Sequence, residues 1–200
     1  FPYTTLFRSF RQEENPRAKL MACARNDKLF ADGSDQAQLA KQVRYVIGGT
    51  DEVAKTFRVI ALPKSWQTDP WSSLDESEQP ERWDDRLPIL VLPEEPENLD
   101  ARLGRWLKDH LQKRRNTVRF LMPRAGSTNA FQDRDLLIFA RAEMKAQEWS
   151  GQSPEYKKLH TEYQGSLRDI LKKRFDRFAA LHRWNFADPN QCIFNVESLK

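Results

Sequence analysis

Two adjacent glutamates follow one of the most apolar stretches of the chain and have the spacing of a known chemical motif. The run Ile89–Leu92 is followed by Pro93, Glu94 and Glu95. In a Walker B strand, a carboxylate at the strand tip holds the nucleotide's magnesium ion through water, and the next acid polarises the attacking water. Here Pro93 stands where the aspartate is expected, so the oxygen that would hold the metal is missing. The favoured interpretation is a degenerate or coincidental Walker B-like segment, and an active one is the lesser alternative.

Four polar residues flank the next apolar run, Thr117–Met122, and could contact a phosphate. Arg115 and Asn116 precede the run, while Arg124 and Ser127 follow it. A guanidinium group suits bidentate contact with a phosphate. Functional residues of parallel sheets gather at the carboxyl ends of the strands. Arg124 and Ser127 are therefore the better candidates, and a structural or capping role is favoured for Arg115 and Asn116.

The histidines and cysteines do not form a catalytic or metal-binding set. His110, His160 and His182 each fall on a predicted helix with no serine or cysteine nucleophile nearby. Cys23 and Cys192 lie far apart, without a partner at metal-ligand spacing, and are expected to be reduced thiols. The sequence therefore predicts no independent hydrolase, no catalytic residue and no metal site.

The glycine pair Gly48–Gly49 is open to two interpretations. It could form part of a phosphate cradle, but the lysine of a P-loop and the third glycine of a dinucleotide fingerprint are both missing. The favoured interpretation is a helix C-cap, where glycine adopts the left-handed conformation without steric cost.

Composition limits the class of protein, and the charges are segregated along the chain. Charged residues make up 31% and hydrophobic residues 39% of the sequence, and no apolar run approaches the ~20 residues that a bilayer span needs. The net charge of +4 conceals a balance of −9 over residues 69–100 and of +7 over residues 101–125. A solvated acidic loop beside a basic helix face is favoured over a nucleic-acid footprint.

Hydrophobic periodicity predicts strands that alternate with helices. The predicted strands are Thr56–Leu62, Leu87–Leu92, Thr117–Met122 and, in the tail, Cys192–Val196. The predicted helices run from Asn15 to near Phe30, from a Ser34 cap to Ile47, from an Asn98 cap to Leu111, from Asp133 to Glu148, and from Pro154 to His182. Between Trp66 and Asp85 the sequence shows no hydrophobic periodicity, and this segment is called the excursion. Trp66, Trp71 and Trp83 are expected to pack the excursion against the rest of the protein. The fold class is α/β, with a short, mainly parallel sheet of about three to four strands covered by helices and a long C-terminal amphipathic helix.

Four segments are expected along the chain. Residues 1–9 read as an in-frame translation of a sequencing adapter, which predicts an artefact and a natural chain that continues upstream. Residues 10–55 form an N-terminal helical segment that continues from this missing region. Residues 56–150 form the α/β core, and residues 151–200 form a long helix and a tail packed on the core.

Two short motifs carry a resemblance to a protein family. The segment Arg115–Pro123 reads Arg-Asn-Thr-Val-Arg-Phe-Leu-Met-Pro, and Ala140–Trp149 ends a helix with an Ala-x-x-Trp pattern. Together they resemble a late segment of large prokaryotic AAA+-type P-loop ATPases found beside restriction and phage-defence genes. In order of elements, the resemblance covers about Phe57 to Leu181.

The resemblance implies a cytoplasmic, ATP-driven protein that acts with DNA or with defence-system partners such as a nuclease or methylase. ATP and magnesium would belong to the parent protein, because the Walker A lysine has no counterpart here. This chain is then expected to be a non-catalytic C-terminal fragment, with the missing upstream ATPase region as its partner and no membrane contact. The alternative is a nucleic-acid- or protein-binding assembly module without ATP chemistry of its own.

Overall fold

The described residues contain five strands, which form one mixed sheet whose spatial order follows the sequence. The computed structural model describes residues 15–185 and 187–199. The strands are β1 (Phe57–Ala61), β2 (Leu87–Val91), β3 (Arg119–Pro123), β4 (Phe175–Arg183) and β5 (Ile193–Ser198). The first three are parallel, whereas β4 pairs antiparallel with β3 and with β5. The α/β class is confirmed, with one or two strands more than expected.

The central strand β2 is apolar throughout because both faces of the sheet are covered. Leu90 belongs to a core on one face, while Ile89 and Val91 belong to a core on the other. In the register, Leu90 lies opposite Ile60 of β1 and Phe120 of β3, so each apolar side chain continues a row across the sheet. A parallel strand covered on both faces is expected to lack hydrophobic alternation.

The described residues form six α-helices, most of which pack on one of the two faces of the sheet. They are α1 (Pro16–Ala24), α2 (Ser34–Gly48), α3 (Asp51–Thr56), α4 (Leu99–His110), α5 (Arg134–Glu148) and α6 (Pro154–Arg174). One face packs against α2, α5 and α6, and the other against α4 and the tryptophan-containing excursion. Helix α1 lies away from the sheet and shares a third apolar cluster with α5 and α6. No helix in the described residues is both long and apolar enough to cross a bilayer.

The tryptophans attach the excursion to the body as predicted. Trp66 is fully buried and Trp83 nearly so, and both belong to the α4-side core. Trp66 Nε1 donates to Glu94 Oε1 at 3.1 Å, and Trp83 Nε1 donates to Glu78 O at 2.7 Å. Trp71 Nε1 donates to His110 O at 3.3 Å, and Trp106 Nε1 donates to Trp66 O at 2.7 Å. Buried tryptophans usually find such partners for the indole N–H.

The predicted helix from Pro154 to His182 is wrong in its last third. Helix α6 ends at Arg174, and the following residues form β4. The apolar residues Phe175 and Phe178 fit a helical step equally well, so periodicity did not separate the two states. Pairing of β4 on both edges, with β3 and with β5, determines the outcome. His182 accordingly lies in a strand and not on a helix.

Three helix-end predictions need correction. Ser34 is not the cap of α2, because Gly33 holds that position with a φ of 78° and Ser34 donates from N and Oγ to Asp32 Oδ1. Gly49 follows α2 as predicted, but its φ of −75° is right-handed. Glycine is needed there because a Cβ would lie 2.1 Å from Tyr45 O.

The third correction concerns α1, which ends at Ala24; a 3-10 turn, Asp27–Phe30, follows it. Asn98 does occupy the N-cap of α4, with a φ of 50° and no side-chain capping bond. The predicted adapter-like segment, residues 1–9, lies outside the described residues.

Candidate functional site

The loops that follow β2 and β3 lie together at the carboxyl edge of the sheet, where the chain leaves the sheet in two directions. This place is called the crevice here. After β2 the chain passes to α4 on one face, and after β3 it passes to α5 on the other. Open α/β sheets bind ligands at such a switch in connection direction. The loop with Glu94 and Glu95 and the loop with Arg124 and Ser127 meet here. Ala130 N donates to Pro93 O at 2.9 Å and joins the two loops.

Glu95 is held by an arginine from the start of β4. Arg177 Nη1 lies 2.8 Å from Glu95 Oε1, and Arg177 Nη2 donates to Pro123 O at 2.7 Å. The hydrogen bond from Arg177 lowers the pKa of the Glu95 carboxyl against the opposing effect of burial, and the backbone N–H of Gly126 contributes in the same direction. The carboxylate is therefore already engaged by the protein on two sides.

Glu94 is engaged on the opposite side of the loop. Its Oε1 accepts from Trp66 Nε1 at 3.1 Å and from Gln67 Nε2 at 3.2 Å. These bonds fasten the tryptophan-containing excursion to the end of β2. With Pro93 at the place of the metal-holding residue, the segment does not fit a magnesium site. Across the described residues, no group of three His, Cys, Asp or Glu side chains is arranged to hold a metal ion.

Arg124 and Ser127 lie in the loop that follows β3, on the other side of the crevice. Arg124 Nε is 3.2 Å from Asp176 Oδ2, and its guanidinium group is largely exposed. Ser127 N donates to Arg124 O at 3.1 Å and closes a turn in which Gly126 has a φ of 76°. Arg124 N donates to Arg174 O at 2.7 Å and thereby joins this turn to the end of α6.

A third arginine, Arg174, forms the third arginine–carboxylate pair at the crevice. Arg174 Nη1 lies 2.9 Å from Asp133 Oδ2, and Arg174 Nη2 donates to Thr128 O. Asp133 also caps α5 by accepting from the backbone of Asp135 and Leu136. Three arginines thus face three carboxylates and connect β2, β3, β4, α5 and α6. Such an arrangement fixes the geometry of the crevice, and its charges largely cancel.

Arg115 and Asn116 lie at the opposite end of β3 and do not join the crevice. Arg115 Nε donates to Leu107 O at 3.1 Å and also to Leu111 O, the last carbonyls of α4. A cation that donates to these orphan carbonyls caps the helix and complements its dipole. The side chain of Asn116 is exposed, and its carbonyl accepts from Arg119 Nη1 at 3.2 Å. These contacts are those of structural residues.

The segregated charges of the sequence meet within the fold. Asp84 of the acidic stretch lies 2.7 Å from Arg58 and 2.8 Å from Arg86. Arg114 of the basic stretch donates to the backbone carbonyls of Trp83 and Asp84. Arg115, Arg119 and Arg124 bond to groups outside the acidic stretch. Half of the eight cations of the basic stretch are therefore engaged within the protein, and of these four Arg114 contacts the acidic stretch. The interpretation as a solvated acidic loop beside a basic helix face stays a prediction.

A second hollow lies at the end of β1, between α2 and the excursion. Its volume is about 390 Å³, and its apolar floor includes Ala40, Ala61 and Phe131. Arg44 also lines the hollow, and its Nη1 lies 2.9 Å from Glu78 Oε1. Sequence reasoning did not find this hollow, because α2 precedes the sheet and the excursion has no period from which its position could be inferred.

Arg174 and Arg177 are the residues of the crevice that sequence reasoning missed. Both were placed on one long helix, where they would have been solvated. The change from helix to strand at Phe175 brings them to the carboxyl edge instead. A signal was present, since Asp176 and Arg177 stand between two phenylalanines, but it is too short to identify a strand by itself. Comparisons with protein-family models, with curated proteins and with solved structures found no match for this chain.

Proposed function

We propose that this chain is a non-catalytic C-terminal module of a large cytoplasmic ATP-dependent protein of the AAA+ type that acts in phage defence or DNA restriction. The supporting observation is the state of the acids at the end of β2. Glu95 is bound by Arg177, and Glu94 by Trp66 and Gln67. A motif that served magnesium and nucleotide would keep at least one of these carboxylates for the metal.

In this proposal ATP and magnesium are bound upstream, and the present chain supplies a rigid platform. Three arginine–carboxylate pairs join three strands and two helices at the carboxyl edge of the sheet, where ligands of open α/β sheets usually bind. The family resemblance of Arg115–Pro123 and Ala140–Trp149 supplies the ATPase context.

The reading frame upstream of this sequence provides the first test. It is expected to encode Gly-x-x-x-x-Gly-Lys followed by Ser or Thr, the loop that cradles the phosphates. A complete upstream frame without this motif would contradict the ATPase context.

Nucleotide binding by the chain itself provides the second test. Titration of the 200-residue protein with Mg-ATP, followed by calorimetry, is expected to show no saturable binding. Glu95→Gln is the test variant, and Glu97→Gln, an exposed acid of the same loop, is the matched control. Magnesium-dependent ATP binding that Glu95→Gln removes and Glu97→Gln leaves intact would overturn the non-catalytic assignment.

The alternative function, a binding module without ATP chemistry, is not supported by the basic stretch 101–125, half of which is engaged internally. The surface around Tyr45 and Arg168 favours a binding module instead.

A further inference from the structure

An exposed aromatic ring with an arginine stacked on it lies where α2 meets α6. About 53% of Tyr45 is exposed, although most large apolar or aromatic side chains of the described residues are covered. The guanidinium carbon of Arg168 lies 3.6 Å from the centroid of the Tyr45 ring, which is stacking distance. Arg168 is held in this position because its Nε donates to Gln42 Oε1 at 2.8 Å. The stack is therefore fixed on one side by the body of the protein.

Two further cations lie next to this stack. Lys41 is one helical turn before Tyr45 on α2, and Lys172 is one turn after Arg168 on α6. Residues four apart on a helix share a face. Both lysines are exposed. The exposed Asp169 is the acid next to Arg168 in sequence, so the balance of these side chains remains positive.

Gly49 follows Tyr45 by one turn, and a Cβ at that position would make an ordinary contact of 3.8 Å with Tyr45 Cδ1. About half of Tyr45 stays exposed although the guanidinium group of Arg168 stacks on its ring.

We propose that this patch, defined by Lys41, Tyr45, Arg168 and Lys172, binds single-stranded nucleic acid. A base would stack on the part of the Tyr45 ring that Arg168 leaves open, and the lysines would contact the adjoining phosphates. Aromatic platforms flanked by cations are the usual basis of sequence-tolerant binding to single strands. A duplex fits less well, because its bases are stacked on each other and a ring on a convex helix surface does not reach them. The inference does not depend on the proposed ATPase context.

Binding of a fluorescently labelled thymidine oligonucleotide of ~12 nucleotides, within the usual site sizes, tests the proposal by anisotropy. Tyr45→Ala is expected to weaken binding about 5- to 160-fold, the effect of losing one base–aromatic stack at about 1–3 kcal/mol. Tyr45→Phe keeps the ring and is expected to retain affinity within about twofold of the original protein. Lys172→Gln is expected to reduce the dependence of affinity on salt.

The matched control is Lys157→Gln, which removes an exposed lysine of the same helix far from Tyr45. Circular dichroism checks that each variant folds, which is expected because every changed side chain is at least half exposed or lies on the surface. The proposal is overturned if the oligonucleotide does not bind, or if Tyr45→Ala binds as tightly as the original protein. The proposal would also be overturned if Lys157→Gln and Lys172→Gln weakened binding equally. It would likewise be overturned if a duplex of the same length bound more tightly than the single strand and Tyr45→Ala did not change the affinity for the duplex.

Discussion

Two clusters of arginines and carboxylates in this molecule use the same residue types at very different depths. At the carboxyl edge of the sheet, 19% of the Arg177 side chain and 30% of the Glu95 side chain are exposed. In the helical layer, the corresponding values for Arg141 and Asp35 are 7% and 4%. A buried charge that loses its partner cannot recover hydration, whereas a partly exposed one can. Depth, and not the number of ion pairs, should therefore decide which cluster matters more for stability.

The helical-layer cluster converges on Arg141 of α5. Its Nε lies 2.7 Å from Asp35 Oδ2, and its Nη1 lies 2.5 Å from Asp27 Oδ1 and 3.3 Å from Ala24 O. The guanidinium carbon is also 4.9 Å from the centroid of the Phe30 ring. One side chain thus connects the end of α1, the 3-10 turn and the start of α2 to α5.

The largest expected effect comes from Arg141→Ala. This change leaves Asp35 buried without its cation, which typically costs about 3–5 kcal/mol. Urea unfolding at neutral pH, followed by circular dichroism, measures the loss. Arg82→Ala is the matched control, because Arg82 pairs with Glu76 where both side chains are mostly exposed, and it is expected to cost under about 1 kcal/mol. Similar losses for the two variants would show that depth does not separate the clusters.

The next effect comes from Glu143→Gln in the same layer. The Glu143 side chain is almost fully buried and accepts from the amides of Gln38, Gln42 and Gln164, while His160 Nε2 lies 3.1 Å from its Oε1. An amide in its place presents an N–H₂ group to these donors, so we expect a loss of about 1–3 kcal/mol.

Urea unfolding measures this loss against Glu148→Gln, a more exposed acid at the end of the same helix that pairs with Lys145. The second variant is expected to change stability by under about 1 kcal/mol. A loss for Glu148→Gln as large as that for Glu143→Gln would remove the argument from burial.

The smallest of the three effects comes from Arg177→Ala at the carboxyl edge, where we expect a loss of about 1–2 kcal/mol at neutral pH. The folded-state pKa of Glu95 lies below its ordinary value of 4.5, so the ion pair contributes fully above that value and loses its contribution as pH falls through the folded pKa. The difference between Arg177→Ala and the original protein should therefore shrink below about pH 4.5.

Urea unfolding between pH 7 and pH 3 tests this dependence. Arg141→Ala serves as the reference, since its loss at neutral pH should exceed that of Arg177→Ala. A difference that stays constant down to pH 3 would argue that Arg177 acts through its bond to Pro123 O and not through Glu95.

Much of the sheet could be predicted from local pattern. The three parallel strands are short apolar runs ended by polar residues or proline, and each was expected within two residues of its observed bounds. Asn15 and Asp133 were expected at the starts of their helices and do cap them. The tendency of functional residues to gather at the carboxyl ends of parallel strands favoured Arg124 and Ser127, and these two residues do follow β3 at that edge, beside the loop that contains Glu94 and Glu95.

The sequence by itself determined the apolar strands, the helices that cover them and the edge at which the candidate residues gather, since these follow from local periodicity and from strand direction. Only the tertiary structure decided that Phe175–Arg183 is a strand and that Arg177 therefore reaches Glu95. The apolar spacing of that segment satisfies either state. Its hydrogen bonds to β3 and β5 come from residues more than 50 positions before it and about 15 after it. Long-range pairing of this kind outweighs local propensity, and the local signal is too short to reveal it.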